Sequence, residues 1–328
     1  MKNALLIFLM IVLSFSGMGQ ASDSWKTARA FLSAYKSEVR NSTQLREMGL
    51  KIQQLKDTMD RVRVAYLWVT NNIRYDCEGM KAKNSRWALD SVLKNRKAVC
   101  AGYVNVFRNL CTAAGVVCED ISGFGRSGYE DLELKLDTVK TNHTWNAYRD
   151  QGKWYLVDIT WASGFTDDSC REFKANRNDW YFNTDPVKFR WDHYPTEPNW
   201  QLTADTLAWT VFKQLPLLNE LITETTVEEF YPASIVIRKK IGDTVQFKVR
   251  SKEYYPFVKF SSRKNPDLNE TVVPFQKDDW YTVTYRIRKE GNYDLQVDFV
   301  PQRIIPTGAG RTYVTYPDLI YKVEARGE

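Results

Sequence analysis

A cysteine, a histidine and an aspartate that together could carry out nucleophilic catalysis follow one another along this 328-residue chain. Cys100 opens a segment whose apolar residues recur at three- and four-residue steps, the pattern of a helix that ends at Gly115. The recurring residues are Val104, Phe107, Cys111 and Ala114. A thiol in the first turn of a helix faces unpaired N–H groups and the positive end of the helix dipole, which favours the nucleophilic thiolate. We therefore predict that Cys100 is a nucleophile, with a buried core cysteine as the alternative.

A nucleophilic thiol needs a base and a group that orients the base, and the chain has only two histidines. His143 lies in the first of two stretches rich in aromatic and β-branched residues. The turn sequence Asp150-Gln151-Gly152 separates the stretches, which predicts a β-hairpin. With Asp150-Gln151 as a two-residue loop, His143 faces Asp158 across the hairpin at a Cβ separation of roughly 5 Å. The alternative, a three-residue loop, would shift the pairing by one residue. The pattern predicts that Asp158 orients His143, with a chance pairing as the alternative.

Three short blocks carry a resemblance to a known family. They are Cys100-Ala101-Gly102-Tyr103, His143-Thr144-Trp145-Asn146 and Val157-Asp158-Ile159-Thr160-Trp161. In order and spacing the blocks resemble the signatures of the transglutaminase-like superfamily, and residues 186–202 resemble the closing segment of the branch that includes kyphoscoliosis peptidase. The resemblance implies a papain-like fold over about residues 55–202, with Cys100, His143 and Asp158 as its catalytic triad. Ala98 is a departure, because many relatives carry Gly before Val-Cys.

The resemblance leaves the reaction open, because the superfamily includes peptidases, deamidases, cross-linking enzymes and inactive members. We expect a cysteine peptidase or amidase that acts on amide bonds of protein or peptide substrates, peptides of peptidoglycan included. One alternative is a protein-glutamine transglutaminase, which excludes water so that an amine accepts the acyl group. The other is a non-enzymatic binding module with a vestigial triad. We assign substrate contacts to Gly102, which has no side chain to block an approach, to Tyr103 beside it, and to Trp161.

The remaining cysteines and the second histidine suggest neither a metal site nor a cofactor. Four cysteines besides Cys100 allow two disulfides in an exported protein, in any of three connectivities. These are Cys77, Cys111, Cys118 and Cys170. No pair has the CxxC spacing of a zinc site, and we expect no metal. His193 has no nearby motif that needs a base, so we interpret it as a packing residue.

The first 21 residues predict a Sec-type signal peptide. Lys2 precedes an apolar run over residues 4–15, and small residues follow up to Ala21. The run is shorter than the roughly 20 apolar residues that span a bilayer, and no second such run occurs. We expect export to the periplasm, the cell surface or the medium, with no membrane span. A formal charge of +6 with no basic run longer than Arg238-Lys239-Lys240 argues against a nucleic-acid partner.

The length of the chain predicts two domains after the signal peptide. Helical patterns over residues 24–73 and strand patterns over 116–124 and 141–161 predict an α+β domain at 22–204, of papain-like transglutaminase architecture by the resemblance. A polar loop at 125–140 separates the predicted nucleophile and base. Short alternating runs recur at about ten-residue spacing beyond residue 205, which predicts an all-β sandwich domain at 205–328, Ig-like by analogy.

Overall fold

A computed structural model of the chain describes residues 24–83, 87–126, 140–167, 169–218, 227–300, 305–306, 312–313 and 318–327. The predicted signal peptide and most of the predicted 125–140 loop lie outside these residues, and both stay predictions. Helices and strands are mixed in the N-terminal part and strands dominate the C-terminal part. The predicted fold class is confirmed.

Three helices open the described chain, as the apolar periodicity predicts. They are α1 (Lys26–Ala34), α2 (Ser42–Ile52) and α3 (Thr58–Asn72). Asn41 and Asp57 cap α2 and α3, because their side chains accept hydrogen bonds from the N–H groups of Gln44 and Asp60. Among the described residues, no helix has the length and apolar character to cross a membrane.

A short parallel strand pair and two small helices follow α3. They are β1 (Arg74–Tyr75), α4 (Cys77–Lys81), α5 (Leu89–Asn95) and β2 (Lys97–Ala98). Because β2 ends two residues before Cys100, this pair fixes where the next helix begins. A disulfide joins Cys77 in α4 to Cys170, which agrees with one of the pairings that the sequence left open. Cys100, Cys111 and Cys118 are free thiols.

The predicted nucleophile begins helix α6 (Cys100–Ala113). The carbonyl of Val99 accepts the N–H groups of Gly102 and Tyr103, and Gly115 adopts a φ of +74° beyond the last turn. Both predicted ends of the helix are confirmed. Helix α2 approaches closely because it carries Gly49 at the contact, where a Cβ would lie 2.3 Å from the Cβ of Ala113.

A four-stranded antiparallel sheet completes the N-terminal part, in the order β5-β4-β3-β8. The elements are β3 (Cys118–Gly125), β4 (His143–Asp150), β5 (Lys153–Val157), β6 (Gly164–Thr166), β7 (Phe173–Ala175), α7 (Pro186–Phe189) and β8 (His193–Pro195). Strands β6 and β7 pair separately as a two-stranded hairpin. Strand β8 comes from far along the chain and pairs with β3 at the edge of the sheet, so His193 lies opposite Gly125.

The hairpin of β4 and β5 forms as predicted, but its predicted register is wrong. The loop is Gln151-Gly152, with φ of +46° and +83°, and Ala147 pairs with Leu156. Two positive φ angles are typical of a type I′ turn, which favours Gly at its second loop position, and Gly152 provides it. The pairing is shifted by two residues from the prediction. Because side chains alternate with a period of two, an even shift leaves them all on the predicted face.

The C-terminal part is a sandwich of two sheets. Its elements are α8 (Trp209–Phe212), β9 (Leu217–Leu218), β10 (Val227–Tyr231), β11 (Val236–Lys240), β12 (Thr244–Ser251), β13 (Phe257–Ser261), β14 (Glu270–Val272), β15 (Phe275–Lys277), β16 (Trp280–Arg286), β17 (Gly291–Val300), β18 (Ile305–Pro306), β19 (Thr312–Tyr313) and β20 (Asp318–Arg326). One sheet has the order β10-β12-β16-β15; the other has β11-β20-β17-β13-β14, with β9 also on β20. Phe247 of the first sheet packs against Phe260 and Tyr321 of the second, with ring centroids 5.7 and 5.1 Å apart.

Residues just beyond the predicted boundary contact the N-terminal sheet. Phe124 of β3 shares a small apolar cluster with Phe212 and Leu215. Arg126 is 4% exposed and donates hydrogen bonds to the carbonyl oxygens of Phe212 and Leu215, at 2.6 and 3.1 Å. The domain boundary at 204/205 stays a prediction, and these contacts indicate that residues 205–215 stabilise the first domain.

We therefore expect a fragment of residues 24–216 to melt cooperatively, several degrees above a fragment of residues 24–204. The shorter fragment leaves Phe124 without its apolar partners and Arg126 without its carbonyl acceptors. Thermal unfolding followed by circular dichroism of both fragments checks this. Equal melting temperatures would show that the contacts add nothing, and a lack of any cooperative transition would contradict a separate first domain.

Candidate active site

The structure brings Cys100, His143 and Asp158 together. Cys100 lies in the first turn of α6, is partly exposed, and lies close enough to the ring of His143 to raise the pKa of that ring. His143 begins β4 and is 8% exposed, and its Nε2 lies 2.6 Å from Oδ2 of Asp158. Because the carboxylate occupies Nε2, Nδ1 is the ring nitrogen left to face the thiol. The geometry is that of a nucleophile, a base and an orienting carboxylate.

Asp158 reaches His143 through a turn at the end of β5. The carboxylate is 0% exposed, and its Oδ1 accepts the N–H groups of Thr160 at 2.9 Å and Trp161 at 3.1 Å. The backbone N–H of Asp158 donates to the carbonyl of Tyr181 at 3.0 Å. In the observed register Asp158 is a diagonal rather than a direct neighbour of His143. Diagonal positions stay within reach of long side chains, so the predicted contact forms although the predicted pairing does not.

His193 belongs to the same network, which corrects its interpretation as a packing residue only. It is 1% exposed, its Nε2 lies 3.0 Å from Oδ2 of Asp158, and its Nδ1 lies 2.5 Å from Oδ1 of Asp192. It also packs, since its ring stacks on Phe189 with centroids 4.0 Å apart. The signal in the sequence that could have revealed this role was an acid directly before a histidine, Asp192-His193. No nearby residue indicates that β8 pairs at the edge of the sheet and so places them beside Asp158.

Mutual contacts set the charges of this buried group. Burial opposes ionisation of Asp158, but the imidazoles of His143 and His193 hold the pKa of its carboxyl well below the usual range. Burial likewise opposes protonation of His143, yet the carboxylate of Asp158 and the contact with Cys100 raise the pKa of His143 to about 10. The pKa of His193 is raised against burial by Asp192 and Asp158. These contacts therefore favour ionised carboxylates beside protonated imidazoles.

Two glycines of β3 make room for the site. Trp161 stacks on His143, with centroids 4.8 Å apart and an interplanar angle of 22°. A Cβ at Gly125 would lie 2.9 Å from Cζ2 of Trp161 and 3.1 Å from Cδ2 of His143, and one at Gly123 would lie 2.5 Å from Cη2 of Trp145. Any side chain at these positions would displace the rings. Sequence reasoning missed both glycines, because Gly within a strand also marks bulges and bends.

The residues predicted to contact substrate lie in different environments. Trp161 is partly exposed beside His143, whereas Gly102 is buried within α6. Tyr103 is 0% exposed, and its hydroxyl donates to the carbonyl of Ile73 at 3.0 Å. Tyr103 therefore anchors α6 to the end of α3 and presents no surface to a substrate. Substrate contact stays a prediction for Gly102 and Trp161.

The ligand-type atoms of His143, Asp158 and His193 lie within 4.8 Å of one another, a spacing that a metal ion would accept. Hydrogen bonds already join both imidazoles to the carboxylate of Asp158. A cation there would replace the protons of these hydrogen bonds and take the imidazole of His143 away from Cys100. A metal at this point would therefore compete with thiol chemistry rather than assist it.

Comparison with known proteins agrees with this geometry. Residues 46–159 match the family model described as the transglutaminase-like superfamily. The matched segment is about a third of the chain and includes Cys100, His143 and Asp158. The chain is similar to kyphoscoliosis peptidase, with 34% identity over 153 residues for Mus musculus and 33% over 174 residues for Homo sapiens. It is 26% identical over 278 residues to the Lim and transglutaminase domain protein ltd-1 of Caenorhabditis elegans.

These matches cover 46%, 52% and 74% of this chain, in the same order. They cover 23%, 26% and 36% of the relatives, so the similarity spans about a quarter to a third of their length. This chain is therefore similar to only a part of each relative. The activity of the whole relatives does not transfer with that part directly.

We expect Gly125→Ala to disturb the packing of the two rings, Trp161 and His143, that lie against β3. The new methyl group must displace Trp161 or His143, which costs about 1–3 kcal/mol of unfolding free energy as overpacking. The displaced imidazole should also slow alkylation of Cys100 by iodoacetamide severalfold. Urea unfolding and mass-spectrometric alkylation rates check both effects. Ser122→Ala is the matched control, since Ser122 is exposed on the same strand; equal behaviour of the two variants would contradict the packing role of Gly125.

The charges of the site predict how stability depends on pH. The pKa of His143 rises from 6.5 to about 10 on folding, so its stabilisation is complete below pH 6.5 and is lost as pH rises toward 10. The depressed pKa of Asp158 acts oppositely, adding stability above its ordinary value of 3.8 that is lost as pH falls. Urea unfolding between pH 4 and 10 should show a decline above about 6.5. Asp158→Asn should flatten that decline; an equally steep decline in the variant would contradict this origin.

Proposed function

We propose that this protein is a thiol-dependent acyl-transfer enzyme that hydrolyses amide bonds of protein or peptide substrates. The observation that carries the proposal is the placement of Cys100 in the first turn of α6 beside His143, whose Nε2 lies 2.6 Å from the buried carboxylate of Asp158. A structural cysteine needs no base and no oriented imidazole, whereas a nucleophile needs both. The name peptidase on two of the relatives supports hydrolysis.

The geometry supports the following acylation step. His143 holds the proton of the thiol as an imidazolium that Asp158 stabilises, and Sγ of Cys100 attacks the carbonyl carbon of the amide. The amides of Cys100 and Ala101 precede the first intrahelical bond of α6, so they are placed to donate to the developing oxyanion. The imidazolium then protonates the amine as the C–N bond breaks. A thioester on Cys100 and a free amine result.

Deacylation uses the same base in the opposite direction. His143, neutral after protonating the amine, removes a proton from a water molecule that attacks the thioester carbonyl. The C–S bond breaks, the proton stays on His143 beside the sulfur of Cys100, and a carboxylic acid is released. Cys100 is partly exposed, so water reaches the intermediate without a rearrangement. An amine in place of water would give a transglutaminase product, which a substrate profile distinguishes.

We also propose that the enzyme acts after export. The disulfide between Cys77 and Cys170 supports this, because disulfides persist in oxidising compartments and are rare in reducing ones. The predicted signal peptide at residues 1–21 supports the same route. Protein and peptide substrates outside the cytoplasm, including the peptides of peptidoglycan, follow from that location.

The role of Asp158 separates a working triad from a vestigial one. We expect Asp158→Asn to fold but to lose about 10²-fold or more in kcat/KM on a peptide found by library profiling. The amide removes the charge and favours the wrong tautomer of His143; the same change in the Ser-His-Asp triad of serine proteases costs about 10⁴ in rate. A cysteine enzyme loses less if its thiolate is already formed.

Iodoacetamide alkylation gives a second measurement that needs no substrate. Cys100 should react fastest in the wild type and more slowly in Asp158→Asn, while Cys111 and Cys118 are buried internal references. Burial raises the pKa of the Cys118 thiol and keeps it unreactive. The control Asp150→Asn lies in the hairpin and should leave both measurements unchanged. Equal losses in the two variants, or Cys100 reacting no faster than in denatured protein, would contradict the proposed function.

A further inference from the structure

The carboxylate of Asp158 accepts more hydrogen bonds than it needs to orient His143. Its Oδ1 accepts two backbone N–H groups, and its Oδ2 accepts His143 at 2.6 Å and His193 at 3.0 Å. The backbone donors alone fix one oxygen. The donor from His193 fixes the other, so the plane of the carboxylate cannot turn away from His143.

The ring of His193 donates on both sides. Its Nε2 faces Asp158 and its Nδ1 faces Asp192 at 2.5 Å. Ionised carboxylates only accept hydrogen bonds, so the ring satisfies both of them only as an imidazolium. The positive ring and the negative Asp192 together are neutral. The pair therefore orients Asp158 without adding net charge that would weaken its attraction for the imidazolium of His143.

The protein holds this pair rigidly. The His193 ring stacks on Phe189 and meets Trp145 edge-on, with centroids 4.0 and 5.0 Å apart. The carbonyl of Asp192 accepts the N–H of Arg126 at 2.9 Å, next to the pairing of His193 with Gly125. The ring has no space to leave Asp158, which is what a residue that positions another one needs.

We propose that His193, held by Asp192, is a positioning residue that sets the carboxylate of Asp158 for His143. Asp192, His193, Asp158 and His143 then form one hydrogen-bonded chain that runs from the edge strand to the ring beside Cys100. The proposal deepens the proposed function and rests on it, because positioning matters only if His143 acts as a base. A packing role alone would require the shape of the ring but not its Nε2.

Two amide substitutions separate these roles. In His193→Gln the side-chain amide reaches the place of Nε2 and can donate to Asp158. In His193→Asn, one methylene shorter, the amide reaches the place of Nδ1 and contacts Asp192 only. Positioning predicts that the Asn variant loses roughly 10–100-fold in kcat, as outer hydrogen-bond partners do at metal sites, while the Gln variant recovers most of the loss and KM changes little in either. His193→Phe keeps the stacked ring without a donor and should resemble Asn.

Two readouts do not depend on turnover. The proton on Nε2 of His143, bonded to Asp158, should give an observable NMR resonance in the wild type and His193→Gln but a weakened one in His193→Asn and His193→Phe. The alkylation rate of Cys100 should follow the same order. Melting temperatures show which variants fold. If the variants at 193 do not fold, Asp192→Ala, which removes the partner of Nδ1, should lose more than Asp192→Asn, which keeps one.

The outcomes are distinguishable. Full kcat and an intact His143 resonance in His193→Phe, or equal losses in the Gln and Asn variants at equal stability, would overturn the positioning role. A wild type that neither hydrolyses amides nor shows selective Cys100 alkylation would overturn the proposed function. In that case the NMR resonance still decides whether His193 sets Asp158.

Discussion

The carboxylate of Asp158 is enclosed from water, and the rest of the first domain is arranged to keep it ionised there. A buried charge without partners costs several kcal/mol, and removing one partner from a buried pair is strongly destabilising. Two imidazoles and two backbone amides supply the partners, and they come from three separate places: β4, β8 and the turn after β5. The elements that bring the donors also form the core. The site therefore forms only when these elements pack together.

Local rules predicted much of this arrangement. The apolar periodicity from Val104 to Ala114 and the terminal Gly115 are properties of one segment, and the helix they indicate begins at Cys100. The hairpin around Gly152 is also local, and its existence was predicted correctly. The register of the hairpin was predicted wrongly, because either Asp150-Gln151 or Gln151-Gly152 could form a two-residue loop. The positive φ angle that Gly152 adopts favours the second. The predicted contact of His143 with Asp158 forms all the same because the shift is even.

The parts that the sequence did not reveal all depend on pairing between distant segments. Strand β8 has three residues and joins β3 across about seventy positions, so nothing near His193 indicates that it lies beside Asp158. The need for Gly at 123 and 125 arises only when the rings of Trp145, Trp161 and His143 and the backbone of β8 are placed against β3. Tyr103 shares a motif with Cys100, but helical geometry turns it into the core. Adjacency in a motif does not imply adjacency to a substrate.

Within the part of the chain that the structure describes, strand β8 pairs with another strand on one side only, at the edge of its sheet. Edge segments with few ladder hydrogen bonds open at lower free energy than a whole domain unfolds. Opening of β8 would withdraw His193 and Asp192 while leaving α6, β4 and the main core in place. The hydrogen bonds around Asp158 and the fold as a whole are then lost at different temperatures, and warming would disorder the candidate site reversibly while most of the secondary structure remains.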